Sequence, residues 1–149
     1  MNKKLNLLLA DDDVDDRFFF DKALKSMHIP YILTMVVDGA KLMEYLVKET
    51  TQLPDALFLD LNMPCKNGAE CLKEIKGHTK LKNLPVIIYS TSLHDDVANL
   101  LYNNGAHFYI RKGSLAELDK TLFDILTLMQ QNKFTRPTRD KFILSLVAV

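Results

Sequence analysis

Cysteine, net charge and long apolar runs are all scarce in this sequence. Two cysteines in 149 residues cannot form the disulfide framework of a small secreted fold, and they fit a reducing cytosol. The 19 Lys and Arg residues balance 19 Asp and Glu residues, which argues against broad electrostatic binding to nucleic acid or to an anionic membrane. No run approaches the roughly 20 apolar residues of a membrane span. No signal peptide is legible, because Lys3 and Lys4 precede only a short apolar run and then acidic residues. Internal repeats and low-complexity tracts are missing too. What remains is ordinary for one globular domain with a real core: 48% apolar and 26% charged residues, too apolar for a disordered chain. The neutral total hides one concentration, since five of the six residues from Asp11 to Asp16 are aspartates.

Short apolar runs recur along the chain: Leu5 to Ala10, Tyr31 to Val37, Ala56 to Leu59, Val86 to Tyr89 and His107 to Ile110. They do not alternate with polar residues, which suits strands buried on both faces of a parallel sheet. Between them the period becomes helical. Leu115, Leu118, Leu122, Ile125 and Met129 recur at three- and four-residue steps. Val14, Phe18, Phe20, Leu24 and Met27 sketch a first helix; Leu42, Met43, Leu46 and Val47 a second; Ala69, Leu72 and Ile75 a third; Val97, Leu100 and Leu101 a fourth. Ser114 with Glu117 reads as a capping box, and Ser92 with Asp95 resembles one. Five strand–helix alternations predict an α/β sheet with helices on both faces. Residues 1–132 form that domain, and 133–149 form a tail that is basic at first and apolar at its end.

Polar residues collect just after the strands. Asp11, Asp12 and Asp13 follow the first, Asp60 closes the third, Ser90, Thr91 and Ser92 follow the fourth, and Arg111 and Lys112 the fifth. In an open parallel sheet these carboxyl ends share one edge, where ligands bind at the topological switch point. An aspartate after a strand is often only a helix cap, which suits Asp13. Asp15 and Asp16 read as charges on a solvated helix face. Asp60 is harder to dismiss, because it ends a buried apolar run. Carboxylates crowded in one cleft repel unless a cation sits among them, and oxygen-only donors suit Mg²⁺. A carboxylate beside Mg²⁺ can attack a phosphoryl group. Lys112 and Ser90 would then compensate charge on the transferred group.

These residues carry a resemblance. Leu7-Leu8-Leu9-Ala10-Asp11-Asp12, Leu59-Asp60-Leu61-Asn62-Met63-Pro64 with Gly68, Pro85 to Ser90, and Tyr109-Ile110-Arg111-Lys112 make the chain similar to a response regulator receiver domain of two-component signalling over roughly residues 5 to 130. The resemblance implies a flavodoxin-like, doubly wound, five-stranded parallel sheet of order 2-1-3-4-5 with five helices, to which the C-terminal apolar tail is an addition. It implies that Asp60 is the phosphoacceptor. Asp11, Asp12, Asp60 and the Asn62 carbonyl would hold Mg²⁺, and Ser90 and Lys112 would contact the phosphoryl group. Ser90 and Tyr109 would change state on activation, and Thr91 would tune access. The implied partners are a histidine kinase or phosphotransfer protein and a downstream protein on the fourth helix–fifth strand–fifth helix face, in the cytoplasm, with no membrane or nucleic acid bound directly. Such a protein is a signalling phosphoacceptor with self-catalysed transfer and autodephosphorylation, not a conventional enzyme. One departure stands out: the family usually follows its lysine with a cis proline, and here Gly113 follows Lys112.

Two rivals are weaker. A Mg²⁺-dependent phosphatase with an aspartate nucleophile would usually carry a second aspartate two residues on, where this chain has Asn62. A phosphorylation-independent interaction module fits poorly with intact Asp11, Asp12, Asp60, Ser90 and Lys112. The four histidines share no metal-ligand spacing. Cys65 and Cys71 read as ordinary thiols, with Cys65 exposed near the site. The tail has three readings: it packs on its own domain, adds or exchanges a strand with a second copy in a homodimer, or stays disordered.

Overall fold

The structure, a computed structural model, describes residues 3–48, 52–91 and 94–144. Strands and helices alternate along the chain: β1 (Leu5–Ala10), α1 (Val14–Lys25), β2 (Tyr31–Val36), α2 (Gly39–Val47), β3 (Ala56–Leu59), α3 (Gly68–Lys76), β4 (Val86–Ser90), α4 (Asp95–Asn103), β5 (Phe108–Arg111) and α5 (Leu115–Gln130). A single 3-10 turn, Arg139–Lys141, then leads into β6 (Ile143–Leu144). The sheet order is β2-β1-β3-β4-β5-β6, and every pairing is parallel. The five-stranded order expected from sequence is therefore present, extended by a sixth strand from the tail.

The unbroken apolar runs have a simple cause. Successive strand side chains point to opposite faces, and here both faces are covered. Leu8, Ala10, Leu57, Leu59, Val86, Ile88 and Tyr109 pack with α2, α3 and α4. Leu5, Leu7, Leu9, Phe58, Ile87, Tyr89 and Ile110 pack with α1 and α5. The first helix departs from expectation. Its buried face is Phe20, Ala23 and Leu24, whereas Val14 and Phe18 are exposed. The α4 start also differs: His94 is its N-cap with no side-chain cap bond, and Ser92 lies outside the described residues.

β1 stands between β2 and β3, so chain connections leave it in opposite directions. That is the switch point where a crevice opens beyond the carboxyl ends of the strands.

Candidate functional site

The sheet itself places the polar residues. Asp11, Asp60 and Lys112 each come one residue past β1, β3 and β5, and Ser90 ends β4. Ladder bonds continue over them. Asp60 N–H donates to the Ala10 carbonyl at 2.9 Å, Asp11 N–H to Val36 at 3.1 Å and Lys112 N–H to Ser90 at 2.7 Å. Residues about a hundred positions apart thus converge on backbone that cannot drift.

Carboxylate oxygens of Asp11, Asp12 and Asp60 lie within 4.8 Å of one another, the only such cluster among the described residues. Asp11 and Asp60 are buried and Asp12 is exposed. Lys112 Nζ donates to Asp11 Oδ2 at 2.9 Å and to Asp16 Oδ2 at 2.8 Å. It stands 3.7 Å from Asp60 Oδ1 and 4.8 Å above the centre of the Tyr89 ring. Burial pushes Asp60 up to about 6, with Lys112 opposing and Asp11 adding to the rise. Burial also raises Asp11, against its hydrogen bonds to Lys112 and the Asp13 N–H. Burial alone would lower Lys112, but its bonds to Asp16 and Asp11 hold it above the ordinary lysine range.

Four carboxylates around one ammonium leave the pocket negative. The donors are hard oxygens without His or Cys, so a divalent cation fits. The buried Ser90 hydroxyl has no hydrogen-bond partner among the described residues, which leaves a donor for a ligand, since buried hydroxyls are rarely left unpaired. The Asn62 N–H lies 3.4 Å from Asp60 Oδ1, and Thr91 is exposed. Tyr109 stands within β5, three residues before Lys112. It is buried on the α4 side of the sheet, lining a cavity of about 240 Å³ with Leu61, Asn62 and His94.

Two placements correct the sequence reading. Asp16 is no free surface charge but a direct partner of Lys112. The signal was legible: Asp13 does cap α1, accepting from the Asp15 and Asp16 N–H groups at 2.9 and 3.0 Å. That puts Asp16 in the first turn, where side chains lean back toward the N-terminus and the strand edge. Tyr89, read only as strand, supplies the ring beneath the ammonium. No described peptide bond is cis, so Lys112–Gly113 is trans. Cys65 is exposed in the loop after Asp60, in the left-handed region at φ 69°.

The sequence profile of the response regulator receiver domain matches residues 7–123. The chain belongs to that family. Response regulator Rcp1 of Synechocystis sp. is 30% identical to this receiver over 128 residues, which is 83% of each chain. The phosphorylated cyanobacterial phytochrome response regulator RcpA superposes with a TM-score of 0.79 at 30% identity, over 91% of this receiver and 100% of that chain. The Mn²⁺-bound form of Rcp1 superposes with a TM-score of 0.78 at 30% identity, over 90% and 99%. The receiver is thus a domain of two-component signalling, and its acidic cluster agrees with divalent metal binding.

Proposed function

We propose that this receiver accepts a phosphoryl group on Asp60 from a histidine kinase or phosphotransfer protein, with Mg²⁺ held by Asp11, Asp12, Asp60 and the Asn62 carbonyl. The observation that carries this reading is the meeting of Asp60, Lys112 and an unpartnered Ser90 hydroxyl at one sheet edge. An Asp60 oxygen attacks phosphorus, the bond from phosphorus to the donor nitrogen breaks, and that nitrogen keeps the electron pair and takes a proton. With a pKa of about 6, Asp60 is mostly ionised at neutral pH, as a nucleophile must be. A bound Mg²⁺ supplies positive charge to the phosphoryl oxygens. Lys112 brings a second, point-like charge, and Ser90 donates a hydrogen bond.

The signal then passes as a shift between two states of a preformed surface. Ser90 and Thr91 carry it toward Tyr109, and the α4–β5–α5 face presents it to a downstream protein. The reading places the protein in the cytoplasm. No helix among the described residues is long and apolar enough to cross a membrane.

Acetyl phosphate with Mg²⁺ is expected to label the protein with acid-labile phosphate, and Asp60→Asn to abolish the label. Labelling that persists in the variant overturns the assignment.

A further inference from the structure

The Lys112 backbone is held by its N–H bond to the Ser90 carbonyl, but that bond does not fix the end of its long side chain. Gly113 follows in a trans peptide, and a lysine ammonium is a point charge with three donors on a flexible stem. Its position is therefore set by what those donors meet. Two meet carboxylates, Asp11 Oδ2 at 2.9 Å and Asp16 Oδ2 at 2.8 Å. Asp60 Oδ1 at 3.7 Å is beyond hydrogen-bond reach.

The two anchors are not equivalent. Asp11 shares its cluster with Asp12 and Asp60, so a divalent cation there draws its charge away from Lys112. Asp16 stands outside that cluster. Its backbone is fixed by the Asp13 cap, and its side chain is only 30% exposed. Its charge stays with Lys112 whatever fills the cluster.

We infer that Asp16 is a positioning residue, holding the Lys112 ammonium beside the phosphoacceptor where the loop alone does not. The inference rests on the phosphoacceptor reading of Asp60. Asp16 acts through Lys112 and touches no reacting atom.

Two physical roles give opposite signs. If Asp16 were only a nearby negative charge, removing it would admit an anionic donor faster. If it positions Lys112, removing it slows transfer. The test uses the full chain with acetyl phosphate at fixed Mg²⁺, comparing Asp16→Asn, Asp16→Ala and Asp16→Glu. Loss of position is expected to slow initial labelling about tenfold in the Asn and Ala variants, in keeping with the cost of misplacing a catalytic group. Asp16→Glu, which keeps the carboxylate, is expected to restore most of the rate.

A second readout follows the contact itself. The ¹⁵N ammonium signal of Lys112, assigned by its loss in Lys112→Arg, is expected to be sharp in wild type and Asp16→Glu and lost in Asp16→Ala. If Asp16→Ala fails to fold, the nearly isosteric Asn variant carries both readouts. Labelling as fast as wild type, or faster, in Asp16→Asn overturns the inference and leaves the phosphoacceptor reading standing. A wild-type chain that takes no label overturns both.

Discussion

Asp60 is a carboxylate that the fold buries at a thermodynamic cost, and its acidity carries the sign of that cost. An unfolded aspartate ionises near 3.9, as reference values go, and the folded Asp60 at about 6. The folded state therefore holds its proton to higher pH. In metal-free protein this contribution to stability is full below about pH 4 and is lost as pH rises through 6. Asp60→Asn cannot ionise and is expected to be the more stable protein at pH 8 in EDTA, by about 3 kcal/mol, with the gap closing toward pH 4. Urea denaturation of both proteins at pH 4, 6 and 8 measures it. A gap that does not change with pH would mean that folding does not raise Asp60 at all. At this scale Asp11, Asp12, Asp60, Ser90 and Lys112 were readable from sequence, because each follows a recognisable apolar run and parallel strands put those ends together. Asp16 was read as a solvated helix charge, because its partner lies 96 residues away and the Asp13 cap gives its place in the first turn but not that partner. Tyr109 was read, by resemblance, as the aromatic that changes state on activation, and the fold adds that it turns to the face opposite Tyr89.

The connection from β3 to α3 shows how elements hold the site. Asn67 and Glu70 close a reciprocal capping box at the start of α3, a cap the sequence reading passed over in favour of Ser114 and Glu117. The latter is half present: Ser114 Oγ accepts from the Glu117 N–H at 3.2 Å, and the Glu117 carboxylate lies over Gly113. Gly68, first residue of α3, packs so closely on the preceding strand that a Cβ would collide with the Asp60 carbonyl and come 2.8 Å from Leu61 Cα. Both neighbours are backbone and cannot swing aside. Gly68→Ala is therefore expected to cost about 1–3 kcal/mol, as overpacking does, and, on the proposed function, to slow Asp60 labelling by shifting the Asp60 backbone. Thermal denaturation and acetyl phosphate labelling check both effects, and a variant normal in each would show that the contact is slack. Five strands were legible because burial on both faces writes itself as apolar runs. β6 was legible only as a possible added or exchanged strand somewhere in the tail, because two residues make no pattern and the apolar stretch from Phe142 runs on past them.

The tail turns the receiver into one continuous object from β2 to β6. Phe134 stacks on His107 with ring centres 5.8 Å apart. Arg136 lies 3.8 Å over the Tyr102 ring and donates to the Ala106 carbonyl at 3.1 Å. The Tyr102 hydroxyl donates to Pro137 at 2.8 Å, and Arg139 Nε donates to Asn99 Oδ1 at 2.7 Å. Phe142 is fully buried between Tyr102 and Tyr109, at 5.2 and 6.3 Å. The segment thus lies on α4 and β5, within the face proposed for the downstream protein, so a partner on that face meets the tail as well as the helices. Of the three tail readings, packing on its own domain is the one this arrangement displays as far as Leu144. Deleting residues 141–149 removes Phe142 and β6 and is expected to lower unfolding free energy by about 3 kcal/mol or more, from the lost aromatic burial. Asp60 labelling should survive, because the ends of β1, β3, β4 and β5 stay in place. Sedimentation of both chains separates the remaining alternatives. An edge strand is where a second copy would pair, so a dimer that falls to monomer on deletion assigns the tail to exchange between copies. The same protomer number before and after supports the self-packed strand.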